Sequence, residues 1–242
     1  MQLDQRVALV TGGAHRLGRA IALALANAGA HIALHYHRSE VSAQSALAEL
    51  ASYGVEACAL AGDLTQVAEA ERVVDAAVSR WGHLDLVVCS AGIWERTPLE
   101  TVTEAQWDAL YALNVRSVFF LARRAAPHLR AAQGSIVAIS DVGILTTWKD
   151  YTPYLSSKAA LAMLMQNLAR ELAPDVRVNT IAPGPVLLPD NWDEQKHTQA
   201  ARSTLLQRVG RAEDVAEAVL YLAQADYVTG VMLPVDGGQR LK

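Results

Sequence analysis

Short apolar, β-branched runs alternate with longer stretches of helical periodicity along the chain. Strand-like runs fall at Val7–Val10, His31–His35, Glu56–Leu60, Leu84–Cys89, Gly134–Ser140, Val176–Ile181 and Val231–Val235. Helical patterns occupy Leu17–Ala28, Val41–Tyr53, Gln66–Trp81, Glu104–Arg130, Tyr154–Leu172 and Ala212–Ala223. Alternation of this kind predicts parallel strands joined by crossover helices. The expected fold is α/β: a doubly wound, seven-stranded parallel sheet with helices on both faces. Strands covered on both sides should read as continuous apolar runs, and Leu86-Val87-Val88-Cys89 does.

No linker, repeat or low-complexity tract divides the chain, so residues 1–242 are expected to form one domain. The longest irregular stretch is Pro183–Arg208, where three prolines (183, 185 and 189) oppose regular structure. Its place after the sixth strand, at the sheet's ligand-binding edge, suggests a substrate lid over 183–208. Two helical patterns are apolar on more than one face: Glu104–Arg130, with Val118, Phe119 and Phe120, and Tyr154–Leu172, with Met163 and Leu164. A second apolar face needs a cover, and subunit association is the natural one.

The net charge of −4 opposes a nucleic-acid partner, which usually needs a basic face. The two cysteines, Cys58 and Cys89, sit in apolar runs and read as free thiols of a reducing compartment. With no signal-peptide pattern and no apolar run of membrane-spanning length, a soluble cytoplasmic protein is expected. His15, His31, His83, His128 and His197 have no metal-ligand spacing, so no metal site is predicted.

Candidate chemistry begins where the first strand meets the first helix, at Thr11-Gly12-Gly13-Ala14-His15-Arg16-Leu17-Gly18. Glycines there let the backbone approach a pyrophosphate facing a helix N-terminus. The second strand ends in His35-Tyr36-His37-Arg38-Ser39. A site for NAD would place an acid at this edge to bind the ribose 2′-hydroxyl. The edge is instead cationic and hydroxyl-bearing, with Arg16 nearby, which suits the 2′-phosphate of NADPH. Tyr154 and Lys158, four residues apart, share a helical face. An ammonium so placed should stabilise tyrosinate and lower the phenol pKa.

Asn114, Tyr154-x-x-x-Lys158, Cys89-Ser90-Ala91-Gly92, Asp63-Leu64, Pro183-Gly184 and Asp236-Gly237-Gly238 stand in the order seen in short-chain dehydrogenases/reductases. The chain resembles that family from first strand to last. The resemblance implies a Rossmann-type fold, a homotetramer, and catalytic roles for Tyr154, Lys158 and Asn114, the last positioning a water on Lys158. It extends the cofactor site from Thr11, Gly12, Arg16, Leu17, Gly18, His35, His37, Arg38 and Ser39 to Asp63, Leu64, Ser90, Ala91, Gly92, Tyr154, Lys158, Pro183 and Gly184.

Several positions are similar to one branch, the pteridine reductases: Arg16, the run from His35 to Ser39, Tyr151, and Asp141 thirteen residues before Tyr154, where most relatives have Ser. Trp94 falls where that branch stacks an aromatic ring on the pterin. Arg16, Trp94, Asp141, Tyr151 and Tyr154 are therefore the expected substrate contacts. A carboxylate at 141 opposes tyrosinate and keeps the phenol protonated, as a proton donor requires. Two positions depart from the pattern. Cys89-Ser90 replaces the usual Asn-Asn, and Gly92 stands where pteridine reductases have a pterin-contacting Ser. The expected small-molecule substrate is a pterin of the dihydrobiopterin, dihydrofolate or dihydromonapterin type. The alternative is a ketone of the 3-oxoacyl or sugar type. A non-catalytic NADPH sensor would have little need of Asn114, Tyr154 and Lys158.

Overall fold

A computed structural model describes residues 1–189 and 191–242. Seven strands form one parallel sheet: β1 (Val7–Thr11), β2 (His31–Tyr36), β3 (Ala57–Ala61), β4 (Leu86–Cys89), β5 (Ser135–Ile139), β6 (Arg177–Pro183) and β7 (Met232–Val235). Their order is β3-β2-β1-β4-β5-β6-β7, every pair parallel. The order reverses between β1 and β4, opening a crevice at their carboxyl ends where ligands bind in such sheets.

Side chains of each strand alternate between two cores. Val7, Leu9, Val87, Ile136 and Ala138 meet helices α3 (Val67–Trp81), α5 (Ser117–Ala132) and α7 (Thr152–Leu172) on one face. Ala8, Val10, Leu86, Val88 and Val137 meet α1 (Arg16–Asn27), α2 (Glu40–Leu50) and α9 (Ala212–Gln224) on the other. Buried Asp85 ties the starts of β1 and β4 together by accepting from Arg6 at 2.6 Å and the Val7 amide at 2.8 Å.

Two expected elements differ. The helix expected over Glu104–Arg130 is α4 (Glu104–Tyr111), a π-helical turn over Ala112–Arg116, and α5. The wider turn holds buried Asn114, whose amide bonds to the segment after β4 and to α7 rather than to solvent. The stretch 183–208 is not irregular throughout. Pro183 closes β6, and α8 (Glu194–Arg202) follows, capped by Asp193 accepting from the Lys196 amide at 2.8 Å. All three prolines lie upstream of that cap, so nothing in the local sequence prevents the helix. The short α6 (Gly143–Thr146) lies between β5 and α7.

Candidate active site

The turn after β1 is built on glycine geometry. Gly12 has φ of +66°, and a Cβ on Gly18 would stand 2.1 Å from the Gly12 carbonyl oxygen. Helix α1 therefore starts directly against the turn, with no side chain capping its first amides, which leaves donors of the kind that bind phosphate. Thr11 joins β1 to β4: its hydroxyl accepts from the Ser90 and Ala91 amides, both at 3.0 Å. Leu17 is half-buried behind the turn. Arg16 has φ of +51° and its guanidinium donates to the Leu187 carbonyl, so the turn also touches the segment after β6.

At the end of β2, His37 and Arg38 are exposed, and the Ser39 side chain makes no cap to α2. His35 is different. It was expected among the cationic residues of this edge, but it is 2% exposed and burial lowers its pKa to about 4. Its ring is neutral and bonded to backbone on both sides, so it supplies no charge for a phosphate. Asp63, after β3, is held low by its hydrogen bond from the Thr65 hydroxyl at 2.8 Å, with His37 and Arg38 adding to the effect. Leu64 turns its side chain into the core.

Tyr154, Lys158 and Asp141 converge at the ends of β5 and α7. The Tyr154 hydroxyl donates to Asp141 Oδ2 at 2.6 Å, while Asp141 Oδ1 accepts from the Gly143 amide at 2.7 Å. Lys158 Nζ donates to the Ile139 carbonyl at 2.8 Å and lies 5.9 Å from the Tyr154 ring centre. Burial depresses Lys158 to about 8 and raises Asp141 from the ordinary aspartate value, against the hydrogen bonds from Tyr154 and Gly143 that lower it. Tyr154 is pushed well above 10, by burial first and then by the Asp141 charge. In this state the ammonium is turned to a carbonyl and the carboxylate holds the hydroxyl, so the phenol moves in the direction expected from Asp141 rather than in that expected from Lys158. Ser140, next to Asp141, points elsewhere and donates to the Lys158 carbonyl at 3.1 Å.

Asn114 clamps the segment after β4. Its Oδ1 accepts from the Ile93 amide at 3.0 Å, and its Nδ2 donates to the Ile93 carbonyl at 3.2 Å and to Ser157 Oγ at 3.0 Å. Ser157, buried between Tyr154 and Lys158, passes the bond on to the Tyr154 carbonyl at 2.7 Å. The sequence offers no signal for Ser157 beyond its adjacency to Lys158. A Cβ on exposed Gly92 would lie 3.1 Å from Asn114 Oδ1 and 3.3 Å from Lys158 Nζ.

Beside this cluster lies an aromatic wall. Trp94 stacks on Tyr151 with centroids 5.2 Å apart and planes 27° from parallel. Tyr151 also meets Trp148 and Tyr154 edge-on at 5.7 and 6.4 Å. An ion pair between Arg96 and Asp150 at 2.6 Å, with the Thr97 amide on the Asp150 carbonyl at 2.7 Å, binds the two segments that carry the stacked rings.

Residues 12–240 match the family model described as enoyl-(acyl carrier protein) reductase. A short-chain dehydrogenase/reductase of Pestalotiopsis microspora is 33% identical over 98% of this chain and 96% of its own. The chain is a short-chain dehydrogenase/reductase. L-rhamnose 1-dehydrogenase (NAD(P)(+)) of a Sphingomonas strain is 34% identical over 98% of this chain and 96% of that relative. Among solved structures, a Serratia marcescens short-chain dehydrogenase/reductase mutant superposes with a TM-score of 0.93 at 33% identity, over 99% of this chain and 100% of that one. A metagenomic blue fluorescent protein in complex with NADPH gives 0.92 at 31%, over 99% of each.

Short-chain dehydrogenases/reductases are oxidoreductases that bind a nicotinamide cofactor. The turn at Gly12–Gly18 fits such a group: glycine is sterically required there, and uncapped helix amides adjoin it. Pro183 and Gly184 meet the carboxyl end of β7, where a Cβ on Gly184 would stand 2.7 Å from the Asp236 Cα. Among the described residues no group of three or more metal-binding side chains occurs, and no helix is long and apolar enough to cross a membrane.

Proposed function

We propose that this short-chain dehydrogenase/reductase uses NADPH to reduce a pteridine ring of the dihydrobiopterin, dihydrofolate or dihydromonapterin type. The observation that carries the reading is the 2.6 Å bond from the Tyr154 hydroxyl to Asp141. A phenol so paired stays protonated and is a donor rather than a base. Reduced nicotinamide supplies the hydride; the chain supplies orientation and the proton. The Gly12–Gly18 turn would hold the pyrophosphate, and Arg16, His37, Arg38 and Ser39 would hold the 2′-phosphate. Asp63 and Leu64 would extend the cofactor site at the end of β3. Ser90, Ala91, Gly92, Pro183 and Gly184 would complete the cofactor site, and Lys158 would hold the nicotinamide ribose. Tyr154, paired with the Asp141 carboxylate, protonates a ring nitrogen, and the phenolate so formed takes a proton back from solvent. Asn114 positions a water on Lys158, its side chain fixing the Ile93 backbone beside it. Arg16, Trp94 and Tyr151 complete the substrate site, the two rings offering a flat surface to a heterocycle.

The NADPH in the metagenomic neighbour supports the cofactor choice. The exposed Phe119 and Met163 on α5 and α7 suit association into a homotetramer. Residues 183–208, with α8, are assigned as the lid.

A second reading, reduction of a ketone of the 3-oxoacyl or sugar type, draws on Gly92, which offers no hydroxyl to a pterin, and on the sugar dehydrogenase among the relatives. NADPH oxidation measured side by side with dihydrobiopterin, dihydrofolate and an acetoacetyl ester separates the two. Turnover of the ester alone would replace the pterin reading with the ketone one.

A further inference from the structure

His35 occupies an unusual position for a histidine at a cofactor edge. Its Nδ1 receives the Gly12 amide at 3.2 Å, and its Nε2 meets the Gly62 carbonyl at 3.0 Å. Its own carbonyl accepts the Gly13 amide at 2.9 Å, so one residue takes the first two donors of the glycine turn. An amide can only donate, which requires a lone pair on Nδ1. The proton then sits on Nε2, where it faces a carbonyl oxygen that can only accept. One neutral tautomer satisfies both ends, whereas imidazolium would set N–H against N–H at Gly12.

Strand β2 lies between β1 and β3, so this ring bridges the carboxyl ends of both neighbours. We infer that His35 is a positioning residue for the dinucleotide, a single-tautomer strut that fixes the phosphate turn to the β3 end in advance of binding. A turn already held in place does not have to be ordered by its ligand, and affinity gains by that saving. The groups facing the ring agree with a neutral state. Burial opposes its protonation most strongly, and His37 beyond β2 and Arg72 on α3 add to it; the Gly62 carbonyl and Asp63 beyond β3 favour protonation but do not prevail.

The test separates the two ends of the ring. His35→Asn can present an amide oxygen near the Nδ1 position; His35→Gln reaches toward Gly62 without an acceptor for Gly12; His35→Leu supplies neither. NADPH dissociation constants from fluorescence titration, alongside cofactor-free melting temperatures, give the readout. The expected result is a loss of about tenfold for Leu and Gln, as one hydrogen bond implies, with Asn recovering most of it. A Leu variant binding within about twofold of wild type, or Asn weakened as much as Leu, would overturn the proposal, tenfold being the scale set by one such bond. Should the Leu variant not fold, 15N NMR of the wild-type histidines decides: an Nε2–H ring that does not titrate near neutral pH supports the strut, and an Nδ1–H or titrating ring overturns it.

Discussion

The Tyr154 hydroxyl and the Asp141 carboxylate stand 2.6 Å apart, and each moves the other's protonation. Burial and the carboxylate hold the phenol well above 10, while burial raises Asp141. Tyr154→Phe removes the proposed donor and is expected to cut turnover by about 10²- to 10⁴-fold, the usual worth of a general acid. Steady-state NADPH oxidation measures it, with the dissociation constant of NADPH as control for cofactor binding.

Asp141→Asn should lower activity and yet raise stability near neutral pH. The sign follows from linkage. A carboxyl whose folded pKa lies above its unfolded value favours the folded state when protonated, and loses that contribution as pH rises through the folded pKa. At neutral pH the wild type thus carries a buried charge that Asn does not. The melting-temperature advantage of Asn should shrink as pH falls into the carboxylate range. An advantage that grows on acidification would contradict the raised pKa.

At the β2 edge, where a 2′-phosphate is proposed to bind, His35 is neutral and Arg38 is an exposed cation. Arg38→Ala should weaken NADPH by roughly tenfold or more, since a charge-assisted bond contributes ~1.5–3 kcal/mol. NADH binding should hardly change, because it lacks that phosphate. Paired titrations of the two cofactors give the ratio directly.

The Trp94–Tyr151 stack makes a prediction about substrate shape. Trp94→Ala should raise KM for a dihydropterin about two- to tenfold, in line with ~0.5–1.5 kcal/mol for an aromatic contact. An acetoacetyl ester, with no ring to stack, should show little change. Arg96→Ala should act in the same direction but more weakly, because the Arg96–Asp150 pair is mostly exposed on the arginine side and screened by solvent.

Much of this was readable from pattern. All seven strands fall where apolar runs stand between helical stretches; for the inner strands this is because a parallel strand buried on both faces tolerates little else. Spacing alone places Tyr154 and Lys158 on one face of α7. Other features left no trace in periodicity. The π turn at Ala112–Arg116 inserts into a run that reads as one helix, since neighbouring turns keep the same apolar face. Helix α8 buries none of its residues, so it carries no apolar stripe to detect. His35 reads as a surface cation because its partners, the Gly12 amide that donates to it and the Gly62 carbonyl that accepts from it, follow other strands. The depth of a side chain at a strand end depends on tertiary packing, and pattern does not report it.

Lys158 is the group expected to set the alkaline side of the pH profile. Burial brings its ammonium down to about 8, whereas Tyr154 ionises well above 10. If the charged amine grips the nicotinamide ribose, NADPH affinity should be steady below pH 8 and decline as the amine loses its proton. The phenol remains neutral over that interval and cannot cause the decline. Stability should move the other way. A lysine with a folded pKa below its unfolded 10.5 is penalised while charged, so the folded state gains as pH rises between about 8 and 10.5. Binding and stability therefore part company across one window, which general alkaline denaturation would not produce. NADPH titrations and thermal melts on the same samples from pH 7 to about 9.5 measure both trends. Lys158→Arg, which stays charged throughout, should flatten the affinity curve even if its absolute affinity is lower. An affinity that falls equally in the arginine variant would assign the alkaline limb to another group.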